Sequence, residues 1–303
     1  MNIQQIEHPL SGPAVEELMT EPTRRSLVTA FGCPRNSLQN RFVYVVVSPR
    51  ARGLSIGVNL NPDKHCNFDC VYCEVNRQEP ARSRHLDVSV MAEELRQTLE
   101  LVHSGRLREL DSYGSVPQEL LRLRHVALSG DGEPTLCPNF TEAVQAVLHV
   151  RALASFFKIV LITNATGLDF PHVKQMLSHF TQQDEIWVKL EAGTQAYMDK
   201  VNRPTVPLEK VMANILALAR ERPVTVQSLF PLIDGEEPPP GEIDQLAQRL
   251  LELRTAGAQI SLVQVYSATR PTPHSECGHL PLRSLSRIAQ TLKKVTGLRV
   301  EVF

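Results

Sequence analysis

The stretch from Asn61 to Cys73 constrains this chain more than any other. Three of its six cysteines, Cys66, Cys70 and Cys73, fall there with the spacing Cys-x3-Cys-x2-Cys. Thiolates so close in sequence come onto one face of a tight loop. Three of them suffice to hold a [4Fe-4S] cluster whose fourth iron takes nothing from the protein. An electron-transfer cluster wants four protein ligands, whereas an open iron can chelate a small molecule. A zinc ion completed by a distant Cys or His is the competing reading. Zinc sites more often set one Cys-x2-Cys pair against a second, and no second pair is present.

The rest of the chain reads as a scaffold for that loop. Residues 41–48 are strongly β-prone and are stopped by Pro49, and 55–59 form a second strand running into the cysteines. Met91, Leu95, Leu99 and Val102 place a helical stripe on residues 87–103. A polar connection covers 104–116. Strands are then expected at 125–128, 158–163, 185–190, 223–229, 259–265 and 298–303. Helices are expected after Phe140 and at 172–180, 208–219, 243–253 and 282–295. Residues 230–241, with Asp-Gly and three prolines, read as a long irregular loop. Short helices are expected at 13–19 and 23–31. Strand alternating with helix implies a parallel sheet with right-handed crossovers, and about six such units are too few for a closed eight-stranded barrel.

In such sheets the chemistry sits where the strands run out. The second core strand ends at Gly132-Glu133-Pro134, a turn in which glycine admits a ligand close to the backbone and proline fixes the chain. Alone this is a common surface turn, and neighbouring Asp131 reads equally well as a turn-former. The third strand ends at Asn164, which suits ribose hydroxyls or a carboxylate but also caps turns. Lys189 and Glu191, two residues apart, share one face of the fourth strand. Inside a pocket that ammonium and carboxylate are either a structural ion pair or ligand contacts. Trp187 shares their face and is accounted for by packing. Gln227, Ser228, Gln264 and Tyr266 are weaker pocket candidates.

The cysteine loop, with aromatic Tyr72 before the third cysteine, resembles the signature of the radical S-adenosylmethionine (SAM) superfamily. The Gly132–Pro134 turn resembles that family's SAM-binding turn. Further segments, among them 55–60, 129–136, 188–194, 201–204 and 270–273, are similar to the bacterial branch related to the tRNA wyosine-forming enzymes. The resemblance implies an α/β fold, a partial (β/α)6 TIM-like barrel over 41–270. An N-terminal extension (1–40) precedes it, and a C-terminal helix and strand (271–303) pack on it. It implies an enzyme that uses a [4Fe-4S] cluster to split SAM reductively into methionine and a 5′-deoxyadenosyl radical, which takes hydrogen from a substrate. Cys66, Cys70 and Cys73 would hold the cluster. Tyr72, Gly132, Glu133, Pro134, Asn164 and Glu191 would hold SAM, and Lys189 would be catalytic or pair with the SAM carboxylate. An electron donor such as flavodoxin or ferredoxin is expected. The alternatives are a wyosine-type tRNA-modifying enzyme, whose second cluster finds no counterpart in the scattered Cys33, Cys137 and Cys277, and a non-catalytic iron–sulfur regulator.

Composition bears on the partners. With 42% hydrophobic and 21% charged residues the chain can build a large core, and a net charge of −1 supplies no global field for RNA. Arg82, Arg84, His85, Arg122 and Arg124 read as solvated charge, with a local anion-binding rim as the alternative. His103, His125, His149 and His179 lack ligand spacing and read as structural. The start of the chain has no charged-then-apolar signal pattern and no run spans a membrane; cysteines serving as cluster ligands, not disulfides, fit a reducing cytoplasm.

Overall fold

The computed structural model of the protein describes residues 38–81 and 83–303. The helices expected at 13–19 and 23–31, together with Cys33 and Arg82, lie outside these residues. In chain order the strands are β1 (Val43–Ser48), β2 (Gly53–Asn59), β3 (Leu123–Ser129), β4 (Ile159–Thr163), β5 (Glu185–Lys189) and β6 (Val224–Leu229). They continue with β7 (Pro231–Ile233), β8 (Ile260–Tyr266), β9 (Cys277–His279) and β10 (Val300–Val302). Eight strands make one sheet in the order β1-β2-β3-β4-β5-β6-β8-β10, while β7 and β9 pair separately as an antiparallel ribbon. Neighbours from β2 to β10 are parallel, and β1 and β10 do not pair with each other, so the sheet curves without closing. The result is the expected mixed α/β partial barrel.

Helices cover its outer face: α1 (Val88–His103), the single turn α2 (Asp111–Gly114), α3 (Phe140–Leu153), α4 (Pro171–Leu177), α5 (Gln195–Val201), α6 (Leu208–Glu221), α7 (Pro240–Thr255) and α8 (Leu282–Thr296). Local chemistry sets their ends. Asp87 caps α1 by accepting from the amides of Ser89 and Val90, both at 3.1 Å, and Gly297 ends α8 with φ +66°. The inward stripe of α6, with Leu208, Val211, Ile215 and Ala219 buried, shows the helical period expected of it. Every residue of β2 is buried, because helices press on one face and the barrel lumen closes over the other.

Three features differ from the sequence reading. The first strand runs antiparallel at the edge, since a two-strand hairpin needs no crossover helix. The connection at 104–116 is a packed element, for Tyr113 is fully buried and its hydroxyl donates to the Val45 carbonyl at 2.8 Å. Within 230–241, Pro231–Ile233 pairs with Cys277–His279, a partner more than forty positions away that local composition does not announce. Helix α5 also falls in a segment without a strong apolar period. Among the described residues no helix is long and apolar enough to cross a membrane.

Candidate functional site

The carboxyl ends of the parallel strands open onto one cavity of about 360 Å³. Cys66, Cys70 and Cys73, the 130–133 turn, Asn164 and Lys189 all line it. The structure therefore brings together residues spread over more than a hundred positions of sequence.

The cysteine loop follows β2 and is pinned from outside. The amides of Asp69 and Val71 donate to the carbonyls of Asn202 and Val201 at 3.0 and 2.9 Å, so the loop docks on the end of α5. Lys64, at φ +62°, reaches the carbonyls of Asn76 and Glu79 at 2.6 and 2.9 Å and draws the loop's exit back to its entrance. All three thiols are free of disulfides. Burial pushes the Cys66 thiol up to about 11 and the Cys70 thiol up to about 12, so both hold their protons at neutral pH until a metal displaces them. Cys66 Sγ accepts from the Phe68 amide and Cys70 Sγ from Asn202 Nδ2, both at 3.4 Å. Among the described residues no three Cys, His, Asp or Glu side chains converge as a single ion would require. Thiolates that bind separate irons of a cluster need no such convergence. Three undisulfided thiols on one loop, two of them already accepting N–H donors, fit a cluster.

The turn after β3 meets this loop directly. The Glu133 amide donates to the His65 carbonyl at 3.0 Å, and a Cβ on Gly132 would fall inside that carbonyl's van der Waals shell. Only glycine lets the two backbones touch. The Glu133 side chain turns the other way. Its carboxylate accepts from the Thr135 amide and hydroxyl at 3.1 and 2.6 Å, the Thr163 hydroxyl at 2.5 Å and the Asn164 amide at 2.7 Å. Burial pushes this carboxyl above its usual range, and the four donors offset part of that rise. Glu133 thus clamps the end of β3 to the end of β4, leaving the turn's backbone to face the cavity. Asn164 is likewise engaged, donating to Asn67 Oδ1 at 2.8 Å and accepting from the Thr166 amide at 3.0 Å.

Across the cavity, Lys189 Nζ touches Glu191 Oε1 at 2.9 Å. Tyr72 and Asn202 both hold Glu191 Oε2, and Lys189 also reaches the Tyr72 hydroxyl at 3.1 Å. Burial pulls the Lys189 ammonium down, but Glu191, Tyr266 and Cys70 outweigh it and leave it well above an ordinary lysine. It is therefore a cation at any physiological pH. Glu191 Oε1 is buried against the Lys189 ammonium, and Glu191 itself does not line the cavity, so the carboxylate acts on the site by fixing Lys189 at the cavity wall.

Sequence reasoning missed Asn202, which joins Cys70, Tyr72 and Glu191. Its signal lay in the Val-Asn-Arg-Pro segment at 201–204. Of the charged rim, Arg122 and Arg124 stand at the start of β3, the end of the barrel away from the cysteines, and so do not join Arg84 and His85. Cys137 is buried, Cys277 lies in β9, and neither lines the cavity.

The chain is similar to several known proteins. A UPF0026 protein of Helicobacter pylori is 25% identical over 77% of this chain and 70% of its own length. The S-adenosyl-L-methionine-dependent tRNA 4-demethylwyosine synthase of Arabidopsis thaliana is 27% identical over 55% of this chain and 25% of its own. Among solved structures, Streptococcus suis SuiB bound to S-adenosylmethionine superposes with a TM-score of 0.56 at 14% identity, over 80% of this chain and 49% of that one. This chain therefore spans about half of SuiB, and that likeness is one of fold. The family model described as the Radical SAM superfamily matches residues 60–250, which take in the cysteine loop, the Gly132–Pro134 turn, the Lys189–Glu191 pair and Asn202. The chain is an enzyme of the Radical SAM superfamily.

Proposed function

We propose that Cys66, Cys70 and Cys73 bind a [4Fe-4S] cluster and that SAM occupies its open iron in the cavity between the cysteine loop and β5. When bound, the cluster supplies one electron that splits SAM into methionine and a 5′-deoxyadenosyl radical able to take hydrogen from a substrate. The observation that carries this reading is the direct Glu133-to-His65 backbone bond, which sets the SAM-binding type of turn against the cysteine loop at the mouth of one cavity. The chain's own part is positioning. Gly132 keeps the turn close to the loop, while Tyr72 and Asn202 hold Glu191, which fixes the Lys189 ammonium at the cavity wall. Lys189 faces the carboxylate of SAM. A one-electron donor of the flavodoxin or ferredoxin type completes the cycle.

Anaerobically reconstituted protein, given dithionite and SAM, should release 5′-deoxyadenosine and methionine slowly even without substrate. A reduced sample with its full iron content that releases neither would overturn the reading in favour of a non-catalytic iron–sulfur protein.

A second reading is favoured by Lys189 itself, an ammonium in the pocket of a chain with wyosine-synthase relatives. In that reading Lys189 condenses with a carbonyl substrate as a Schiff base. Its ion pair with Glu191 works against it, because only the free amine attacks. Borohydride trapping of an adduct on Lys189 would decide for it.

A further inference from the structure

Charge is balanced almost everywhere in the cavity. Lys189 meets Glu191, Arg77 meets Asp69 at 3.0 Å and Arg270 meets Glu74 at 3.2 Å. Glu133 has four donors and Asp131 accepts from Asn59 at 2.8 Å. Arg50 is different. It follows Pro49 in the β1–β2 hairpin and enters the lumen at the seam that the open sheet leaves. Its guanidinium carbon lies 4.2 Å from the centroid of the Tyr266 ring. Its Nε is buried without a hydrogen-bond partner, and no carboxylate of the described residues pairs with it.

A second, larger cavity of about 1100 Å³ opens at the other end of the barrel, and Arg50, His125, Trp187 and Phe303 line both. Arg50 therefore stands on the floor of the proposed SAM cavity, at its junction with the lower one. His125 stands there too, 2% exposed, with its ring 5.2 Å from Trp187 in an edge-on contact. Burial first, then Lys158 and Arg50, push its imidazole down to about 3, so at neutral pH it is uncharged and offers one N–H. Gln264, on β8 two residues before Tyr266, adds an amide beside them, joined to Gln227 at 2.9 Å.

A half-buried guanidinium without a counter-charge costs stability unless something else satisfies it. Stacking on Tyr266 compensates its face but not its N–H edge. That edge is a planar fork that matches an oxyanion in two parallel hydrogen bonds. We propose that this junction is a substrate subsite, in which Arg50 and His125 hold an oxyanion carried by the substrate, a carboxylate or a phosphate. The proposal rests on the cavity being the reaction chamber, and it deepens that reading by naming the substrate as an anion that enters with its charged end toward the barrel floor.

Trp187, the single tryptophan of the chain, lines the junction and reports on it without any SAM chemistry. The experiment titrates the reconstituted protein with inorganic phosphate and, separately, with malonate at constant ionic strength made up with chloride, following Trp187 emission. One of the two anions should give a saturable change absent with chloride, and the one that does so tells phosphate from carboxylate. Arg50→Gln should weaken that anion about 10- to 100-fold, the loss of charge-assisted hydrogen bonds, while Arg50→Lys retains part of it. No saturable response to either anion in the wild-type protein would overturn the proposal, as would equal binding by a folded Arg50→Gln protein with wild-type iron content. Because the titration needs no SAM cleavage, its failure is distinct from a failure to release 5′-deoxyadenosine.

Discussion

Lys189 Nζ and Glu191 Oε1 stand 2.9 Å apart, with only 1% of the Glu191 side chain exposed, at the wall of the cavity that the three thiols share. Removing the ammonium alone leaves a buried carboxylate half satisfied. Lys189→Met should therefore cost about 3 kcal/mol of stability, the low end for a broken buried pair, because Tyr72 and Asn202 still hold the other oxygen. The double variant Lys189→Met/Glu191→Leu should recover most of that loss in denaturant melts but not the release of 5′-deoxyadenosine. Full activity in a recovered double variant would make the pair purely structural. If Lys189 faces the SAM carboxylate, Lys189→Met should also weaken SAM binding by on the order of 1.5–3 kcal/mol in equilibrium dialysis.

The thiols divide into two groups. Replacing Cys66, Cys70 and Cys73 by Ala should abolish the roughly four irons per chain of a reconstituted cluster. Replacing Cys137 and Cys277, which stay outside the cavity, should leave iron content and visible absorbance unchanged. Iron lost from the second variant would mean that the ligands are misassigned.

Glu133 is a clamp surrounded only by donors. In Glu133→Gln one carboxylate oxygen becomes an NH2 that faces either the Asn164 amide or the Thr135 amide, and two donors then oppose each other. The expected loss is about 2–3 kcal/mol in the denaturant midpoint at an unchanged slope. Wild-type stability in this variant would show that the clamp contributes nothing.

His125 predicts a pH dependence. Its folded imidazole titrates at about 3, against 6.5 for the ordinary group, so between these values the unfolded chain binds the extra proton. Stability from this group is thus full above about pH 6.5 and falls with acidification down to about pH 3. Between pH 7 and pH 5 it accounts for a loss of about 2 kcal/mol. His125→Gln should remove that part of the loss, measured as the difference between urea midpoints at the two pH values. An identical pH 7-to-5 loss in both proteins would show that His125 is not buried neutral.

Much of this was legible in one dimension. The cysteine spacing, the Gly-Glu-Pro turn and the strand-helix alternation are local signals, and each is readable because its physics is local: a tight thiolate loop, a glycine that admits a backbone, a period of two against a period of 3.6. Lys189, the last residue of β5, was readable for the same reason, since alternation in a strand needs no knowledge of neighbours. Glu191 lies past the strand's end and meets Lys189 from the loop that follows, not from a shared strand face.

The tertiary structure decided what depends on the meeting of distant segments. That Glu133 spends its carboxylate on Thr163 and Asn164 follows from β3 lying beside β4, and only the packed sheet sets that distance. Asn202 reaches Cys70 because the cysteine loop docks on the end of α5, a short helix with no strong period to reveal it. Arg50 is one arginine among many in the sequence. It becomes a cation that no carboxylate of the described residues pairs only because the sheet stops short of closing and the β1–β2 hairpin turns its side chain into the gap. Side-chain identity determined which chemistry was on offer; chain topology determined which groups had partners and which were left for a ligand.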